Sequence, residues 1–463
     1  MATIRYGIGC AIHGPIDGVG GFPDLSVVSR PRRTGTVLQL PDRGTIRMAL
    51  WDWLLRWFGW SRVTKTSRAS AARSRVRLRP TGSPPANRRT TRIPTTEVSD
   101  ESPYRLARMG SRTGQWLDLT LDHRPAELAQ RQLPNVRTPD DIADWLNVKL
   151  SRLAWLVHHF SAGRAESPEK SHYFYHWIAK SRGGWRLIEA PKQTLKEIQR
   201  KILTEVLEQL PPHPAAHGFR AGRSIVTNAQ PHAGQFLVLK WDLRNFYPSV
   251  GFSRVTAIFR SMGYSREAAI WLARLTTTAL PANIRFPQGD PAAILPYLRR
   301  HLPQGAPTSP ALANLSAYGL DVRLSGLARS FGANYTRYAD DLTFSGDERF
   351  ARSLKVFIPL VAQICRQERF RLHPGKRRIL RAHQRQQVTG VVVNRHPNVR
   401  RRDFDQLKAV LTNCLRHGPA GQNREQHENF AAHLQGRIAH VMQLNRVRGE
   451  KLANIYARID WQK

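Results

Sequence analysis

The sequence predicts an α+β fold, in which an antiparallel sheet and a set of helices share a core. Apolar runs at residues 238–241 and 335–345 have the length and the aromatic or β-branched content of strands. Apolar residues recur at helical spacing within 142–156, 404–415 and 430–456. With 463 residues, 41% of them hydrophobic, the chain can form two or three domains with cores.

The N-terminal third is expected to contribute little to this fold. Residues 1–47 show little periodicity, and Met48 resembles a translation start, so our hypothesis is that they are untranslated or disordered. Residues 48–137 begin with a Trp-rich stretch, which we interpret as a docking helix because it is too short and too charged to span a bilayer. A basic linker rich in Arg, Ser, Thr and Pro follows and is predicted to be disordered. The fold is therefore preceded by a largely disordered basic N-terminal extension.

A helix is predicted to begin at Thr138. Thr138 is a capping residue, Pro139 suits the first turn, and Asp140 and Asp141 favour the positive end of a helix. Apolar residues continue this pattern as far as Leu156. The folded part of the chain is expected to start at this helix or somewhat before it.

A β-hairpin is predicted next, around the glycines at positions 183 and 184. Alternating apolar residues flank this turn. The basic residues beside it, Lys180 and Arg186, could reach phosphate groups, although a solvated basic turn is the simpler alternative.

Carboxylates stand at the ends of two predicted strands. The first strand delivers Asp242 to its exposed end, and Asp340 and Asp341 lie at the tip of a strand-turn-strand pattern. Adjacent carboxylates repel each other, and such a pair usually persists because a divalent cation neutralises it. The alternatives are a plain Asp-Asp turn and a capping aspartate. Between the two strands, a Gly- and Pro-rich loop containing Gln304 and Gly305 precedes an apolar helix.

In this order the three segments resemble palm motifs A, B and C of the reverse transcriptases. Two further segments resemble the bacterial retron type of that family: residues 228–232 match its Asn-Ala-x-x-His signature, and residues 388–390 match its Val-Thr-Gly signature. Each short match alone would mean little, because these residues commonly cap helices or turn chains. The resemblance extends from about residue 138 to the C-terminus.

The resemblance implies a right-hand polymerase fold with fingers, palm and a helical thumb. It assigns residues 138–235 to the fingers, with 253–303 as an insertion, and residues 236–252 and 304–385 to the palm. Residues 386–463 become the thumb and RNA-recognition region. The segment between motifs A and B is longer than the family's compact spacing, which leaves the fingers loops less well defined.

The resemblance also implies roles for individual residues. Asp242, Asp340 and Asp341 would be catalytic and would hold two Mg²⁺ ions. Mg²⁺ is a hard cation that prefers carboxylate oxygens. The expected nucleotide-binding residues are Tyr247, Gln304, Gly305, Lys180, Arg186 and Lys376. The expected RNA-recognition residues are Asn228, His232, Val388, Thr389 and Gly390. Ordinary alternatives remain, such as a core aromatic for Tyr247 and a plain backbone contact for Lys376.

Retron enzymes copy a cognate structured non-coding RNA, starting from a guanosine 2′-hydroxyl, and yield a branched RNA-linked DNA called msDNA. The resemblance therefore implies that non-coding RNA, its cDNA product and deoxynucleoside triphosphates are partners. It also implies a role in antiphage defence, with a separate effector or toxin protein as a candidate partner.

Charge agrees with a nucleic-acid partner. The chain has 72 Lys and Arg against 34 Asp and Glu, a formal net charge of +38. An excess of this size gives salt-dependent affinity for a phosphate backbone. Three widely spaced cysteines indicate neither a disulfide framework nor a zinc site, so we expect a cytoplasmic protein without membrane contact.

Three hypotheses follow. The first is a retron reverse transcriptase. The second is another bacterial reverse transcriptase, either group II intron-like or diversity-generating. The third is an RNA-binding component of a defence or toxin-neutralising complex, in which polymerase activity is secondary.

Overall fold

The computed structural model describes residues 108–109, 116–157, 170–180, 184–287 and 291–462. The predictions for residues 1–47 and for most of 48–137 lie outside these ranges. Strands β1 (Arg108–Met109) and β2 (Trp116–Leu117) form a short antiparallel pair. Helix α1 (Pro125–Gln130) follows, and its Leu128 is buried in the main core. Leu119, Leu133 and Val136 are buried as well, so the fold starts somewhat before Thr138.

Two helices occupy the stretch in which the sequence predicts one. Helix α2 (Pro139–Leu146) begins at Thr138, whose side chain forms a capping box with Asp141, as predicted. It ends at Asn147, which adopts left-handed backbone angles with φ 57° and ψ 48°. Helix α3 (Leu150–Val157) follows as a separate helix. The sequence did not predict this break, because apolar residues continue at helical spacing from the first helix into the second.

The predicted hairpin is confirmed by strands β3 (Tyr173–Ala179) and β4 (Trp185–Pro191). They pair antiparallel along their whole length, from Tyr173 opposite Pro191 to Ala179 opposite Trp185. Residues 181–183 of its turn lie outside the described residues. Helix α4 (Gln193–Ile202), a π-helical turn (Leu203–Leu207), helix α5 (Ile225–Ala229) and a 3₁₀ turn (Gln230–His232) come next.

The central sheet has four antiparallel strands. They are β5 (Leu237–Asp242), β6 (Asn334–Tyr338), β7 (Asp341–Gly346) and β8 (Arg378–Arg381), in the spatial order β6-β7-β5-β8. The pairing of β5 with β7 places Leu237 opposite Gly346 and Asp242 opposite Asp341. Because β6 and β7 are a tight hairpin beside β5, the predicted carboxylates meet at one end of the sheet.

Helices pack on this sheet and build one continuous core with the elements before it. They are α6 (Phe246–Ser249), α7 (Phe252–Met262), α8 (Arg266–Thr276), α9 (Pro291–Leu298), α10 (Ser309–Ser316), α11 (Tyr318–Ser330) and α12 (Glu348–Gln367). Helices α7 and α12 have apolar stripes that include fully buried phenylalanines, Phe259 in the first and Phe357 in the second. Helix α8 contacts α2, α3 and α4.

The C-terminal region has a core of its own. After strands β9 (Gln387–Val388) and β10 (Val391–Val392) come helices α13 (Arg401–His417), α14 (Phe430–Leu444) and α15 (Arg446–Tyr456). The last predicted helix is split at Asn445, whose side chain caps α15 by accepting from the amide of Arg448. The buried residues of this helical cluster are Leu407, Leu411, Cys414, Leu434, Ile438, Val441, Leu452 and Ile459.

Two smaller observations concern the cysteines and the helix lengths. Cys365 and Cys414 are buried free thiols, and Cys10 lies outside the described residues. Among the helices of the described ranges, none has both the length and the apolar character needed to cross a bilayer.

Candidate active site

A two-residue loop joins β6 to β7 and carries one of the predicted carboxylates. Tyr338 pairs with Asp341, so Ala339 and Asp340 form the loop itself. We call residues 338–341 the aspartate turn. Ala339 has φ 55°, a left-handed conformation that two-residue hairpin loops favour and that costs an alanine energy.

Asp242 completes the group at the end of β5. Its Cα lies opposite that of Asp341, and the amide of Leu243 donates to the Asp340 carbonyl at 2.8 Å. The backbone carbonyl of Asp242 accepts from the amide of His373 at 2.8 Å. The structure thus brings all three predicted aspartates to one end of the sheet, on a hydrogen-bonded scaffold.

The carboxylates are held in surroundings that disfavour their negative charge. Burial raises the pKa of Asp341 to about 7; the charge of Lys240 opposes this, and the hydrogen bond and charge of Asp242 add to it. Burial also raises the pKa of Asp340, and the nearby charge of Asp242 acts in the same direction. A cation at this place would stabilise the ionised form of both groups.

The donor set fits a magnesium ion that is shared with a substrate. In the described residues, no three Asp, Glu, His or Cys side chains converge closely enough to hold a metal by themselves. Mg²⁺ usually takes one or two protein carboxylates and completes its shell with water and substrate phosphates. Asp242 and the aspartate turn supply such carboxylates.

Basic side chains surround the aspartates. The Nζ atom of Lys376, in a 3₁₀ turn (Pro374–Lys376), contacts the Oδ2 atom of Asp242. Arg186 lies near enough to Asp340 for its charge to oppose the rise of that pKa. Lys180 lies near Asp340 as well, and burial together with Arg186 and Lys376 lowers the pKa of Lys180. The structure therefore places these three predicted cations around the carboxylates.

The predicted aromatic and loop residues lie in two other segments, helix α6 and the loop before α10. Tyr247 is half-buried in α6, with its ring centroid 5.7 Å from that of Phe246. The carbonyl of Gln304 accepts from the amide of Glu189 on β4 at 2.9 Å. Gly305 has φ 135°, and a Cβ there would lie 3.1 Å from the Glu189 carbonyl oxygen. The loop before α10 is thus packed directly against the β3–β4 hairpin.

A buried ion pair at this junction escaped the sequence analysis. The Nε2 atom of His301 lies 2.9 Å from Glu189 Oε2, and its Nδ1 atom lies 2.8 Å from the carbonyl of Arg299. Both neighbours present oxygen atoms, to which the doubly protonated, cationic form of His301 can donate from both ring nitrogens. Burial acts to lower the pKa of His301, but Glu189 outweighs it and the pKa is raised. A local sequence pattern cannot predict a pair whose members lie more than a hundred residues apart in the chain.

Asn228 and His232, predicted to recognise RNA, are both buried. His232 lies between two hydroxyls of the sheet, 2.7 Å from Ser345 Oγ and 2.8 Å from Thr336 Oγ1. Burial lowers its pKa to about 3, helped by His217 and Lys240. Any part these side chains play in RNA recognition would therefore come from the segments they hold in place.

The Val-Thr-Gly segment is the tip of the β9–β10 hairpin. Val388 is buried, whereas Thr389 and Gly390 form the loop with φ 45° and φ 90°. Asn228 Nδ2 donates to Thr389 Oγ1 at 3.4 Å, so the two sequence signatures touch each other. Gly390 also borders a cavity of about 390 Å³ toward α13 and α14, whose polar lining is Arg400, Asp403, His433, Arg437 and His440.

Comparisons with known proteins agree with this geometry. A sequence model of the family described as reverse transcriptase (RNA-dependent DNA polymerase) matches residues 178–393, which include all three aspartates. The chain is 40% identical over 328 residues to the retron Mx65 reverse transcriptase of Myxococcus xanthus, covering 71% of this chain and 73% of that protein. It is 38% identical over 328 residues to the retron Mx162 reverse transcriptase of the same organism, covering 67% of this chain and 66% of that protein.

More distant similarities reach other organisms. The retron Ec86 reverse transcriptase of Escherichia coli is 32% identical over 230 residues, covering 49% of this chain and 64% of that protein. A solved telomerase from Candida albicans, in complex with a fragment of telomeric RNA, aligns with a TM-score of 0.36 at 10% identity, covering 61% of this chain and 56% of that chain. That structural likeness is too weak to support an inference.

Proposed function

Because this chain belongs to the retron reverse transcriptases and is an RNA-directed DNA polymerase, we propose that it copies a cognate structured non-coding RNA into msDNA. In this proposal synthesis starts from a guanosine 2′-hydroxyl of that RNA and leaves the DNA joined to it. The comparisons favour this hypothesis over an intron-encoded or diversity-generating enzyme, because the relatives are retron enzymes. Polymerase activity also makes a purely RNA-binding component the weaker alternative.

Reverse transcriptases use divalent metal ions, and we propose that here these are two Mg²⁺ ions held by Asp242 and Asp340, with Asp341 as an auxiliary ligand. When bound, the ions neutralise charge on the attacking and leaving oxygens of phosphoryl transfer. The placement of Asp242 opposite Asp341, with Asp340 in the adjoining loop, is the observation that carries the proposal. It brings the carboxylates to one end of the sheet before substrate arrives, so little backbone rearrangement is needed at reaction.

We propose that the cations around the aspartates bind the triphosphate of the incoming nucleotide. Lys180 and Arg186 would contact its phosphates, since both lie within electrostatic range of Asp340. Lys376 contacts Asp242 and would exchange this contact for the departing pyrophosphate, to which it could deliver a proton. Each of these assignments places a positive charge where negative charge develops.

Three further residues would select the nucleotide and its template. Tyr247 would pack against the sugar and exclude a ribose 2′-hydroxyl by its bulk. Gln304 and Gly305 would line the nucleotide and template side through amide and backbone contacts, in a loop that Glu189 holds by a backbone hydrogen bond.

The remaining proposals concern RNA recognition and biological role. The C-terminal region, from the Thr389–Gly390 tip to the basic cavity beside α13 and α14, would contact the cognate RNA. Asn228, His232 and Val388 would support this surface from within. We also propose that the protein acts in antiphage defence together with a separate effector protein, and that it is cytoplasmic.

The test is to express the chain with its native upstream flank and to search for a small DNA that stays linked to RNA until a debranching enzyme releases it. The double variant Asp340→Ala with Asp341→Ala should bind RNA normally and make no DNA, because the lost groups hold metal rather than core. Glu348→Ala is a matched control, since it removes an exposed carboxylate from α12. If DNA synthesis survives the double change, this active site is wrong; if only unlinked cDNA forms on a supplied primer, the proposed branching is wrong.

A further inference from the structure

Arg337 lies directly beneath the aspartate turn and is among the largest fully buried side chains in the described residues. Its Nη1 atom donates to the carbonyl of Ala339 at 3.0 Å. We propose that Arg337 is a positioning residue that holds the aspartate turn in its catalytic geometry. This inference rests on the proposed role of Asp340 and adds a residue to which no role has been assigned.

A buried carboxylate, that of Asp321, fixes the position of the guanidinium. Nε and Nη2 of Arg337 donate to the two oxygens of Asp321 on α11, at 2.8 and 2.6 Å, and both side chains are fully buried. Such a two-point contact sets the orientation of the plane as well as its position. Burial acts to lower the pKa of Arg337, but Asp321 outweighs it and the pKa is raised. The group therefore keeps its charge and its five donors.

The same guanidinium ties the turn to two other segments. Nη1 also donates to Oδ1 of Asn314 at 2.9 Å, and Nδ2 of Asn314 donates to the carbonyl of Gly218 at 2.9 Å. A Cβ on Gly218 would lie only 2.8 Å from the amide nitrogen of Ala339, so this backbone packs directly against the turn. The turn is thus in contact with Gly218 and with hydrogen-bonded side chains from α10 and α11.

Arg337 also contacts the segment after Asp242, which resembles motif A. The guanidinium carbon of Arg337 lies 5.7 Å from the ring centroid of Phe246, next to Tyr247. One buried side chain therefore contacts the aspartate turn, the helix after the Gln304 loop and the aromatic segment after Asp242. A strained Ala339, with φ 55°, needs such support to persist as a single conformation.

The test compares Arg337→Lys and Asn314→Ala with Tyr335→Phe. Lysine keeps a charge beside Asp321 but cannot form the planar fork, and Asn314→Ala removes one partner without unpairing the buried carboxylate. Tyr335→Phe is the matched control, because it removes a 2.8 Å hydrogen bond to the same Asp321 and leaves the hydrogen bonds of Arg337 to that carboxylate and to the turn in place. Thermal unfolding and RNA affinity are measured for each variant, so that folding losses are separated from positioning losses.

Two readouts decide the outcome. Hydrogen exchange should be faster across residues 334–346 in Arg337→Lys and Asn314→Ala, and unchanged in Tyr335→Phe. In steady-state synthesis on a supplied primer and template, kcat should fall at least about tenfold in Arg337→Lys while the KM for nucleotide stays within about threefold. If exchange in that segment is unchanged, or if activity falls only in proportion to the folded fraction, the proposal is overturned.

The two proposals fail in different ways. If the Asp340→Ala and Asp341→Ala variant still makes DNA, the role of Asp340 fails, while hydrogen exchange still reports whether Arg337 holds the turn. If that variant is inactive but exchange in residues 334–346 is the same with and without the Arg337 contacts, the active site stands and Arg337 is only a core residue.

Discussion

Burial separates the side chains proposed to meet substrate from those that hold the site in place. Asp242 keeps 19% of its side chain exposed and Lys376 keeps 46%, which leaves both accessible to a substrate. Arg337 and Asp321 are fully buried, and His232 lies between two hydroxyls of the sheet. A polar group buried without partners would be costly, and these groups have theirs.

His232 should make the protein sensitive to acid. Because its pKa of about 3 in the folded state lies below its ordinary 6.5, the unfolded chain binds more protons below pH 6.5. The stabilisation is complete above pH 6.5 and is lost as the pH falls toward 3, by about 2 kcal/mol at pH 5. Denaturant unfolding at pH 7 and pH 5 measures this difference.

His232→Gln is the comparison variant, because an amide can bond both hydroxyls without titrating. Its stability should fall less than that of the parent between the two pH values. His217, whose pKa burial lowers to about 4, stays in both proteins and contributes equally. Equal losses in parent and variant would contradict the prediction.

At the scale of elements, helices α14 and α15 of the C-terminal region approach each other so closely that no side chain fits at the point of contact. Helix α14 meets α15 where Gly449 faces Met442, and a Cβ on Gly449 would lie 2.4 Å from the Met442 Cα. Only glycine allows this approach. The basic cavity beside α14 depends on this packing, because Val441 and Leu444 of the same helix line its floor.

Gly449→Ala should therefore destabilise the C-terminal helices by roughly 1–3 kcal/mol, although alanine is the better helix former. Gly436→Ala is the control within α14, since a Cβ there meets nothing within 4 Å, and it should stabilise by about 0.5–1 kcal/mol. Hydrogen exchange across residues 430–456 measures both. Equal effects of the two changes would show that α14 and α15 do not pack as described.

At the scale of the whole molecule, the positive net charge and the carboxylate cluster are expected to act differently on a nucleic acid. The net charge of +38 attracts phosphate backbones of any sequence. In the function proposed here, the aspartates and the metal they would hold select one place on that backbone for chemistry. Binding and synthesis are therefore expected to respond differently to ionic strength and to substitution at the turn.

RNA affinity should fall steeply with salt, by about a thousandfold or more between roughly 50 and 200 mM if six to ten phosphates are contacted. The slope should be the same for the parent chain and for Asp340→Ala with Asp341→Ala, because those groups do not bind the RNA backbone. Fluorescence anisotropy of a labelled RNA across the salt series gives both slopes. A shallow slope would mean that base contacts dominate binding.

How much the sequence predicted depends on the range of each interaction. The β3–β4 hairpin, the start of α2 at Thr138 and the strands around Asp242 and Asp340 are local patterns and are confirmed. The break at Asn147 was missed, because the apolar spacing continues across it. The Arg337–Asp321 and Glu189–His301 pairs were missed because their partners are distant in sequence, and a buried histidine such as His232 looks no different from an exposed one.

The close approach of Gly218 to Ala339 has a consequence for sequence variation. Although Gly218 lies more than a hundred positions before the aspartate turn, any side chain there would press on the turn's own amide. A saturation library should therefore find that position 218 tolerates as few substitutions as the turn itself, and far fewer than its exposed neighbours Ala221 and Arg223. Attempts to reshape the turn for altered fidelity would need to treat position 218 as part of the same unit.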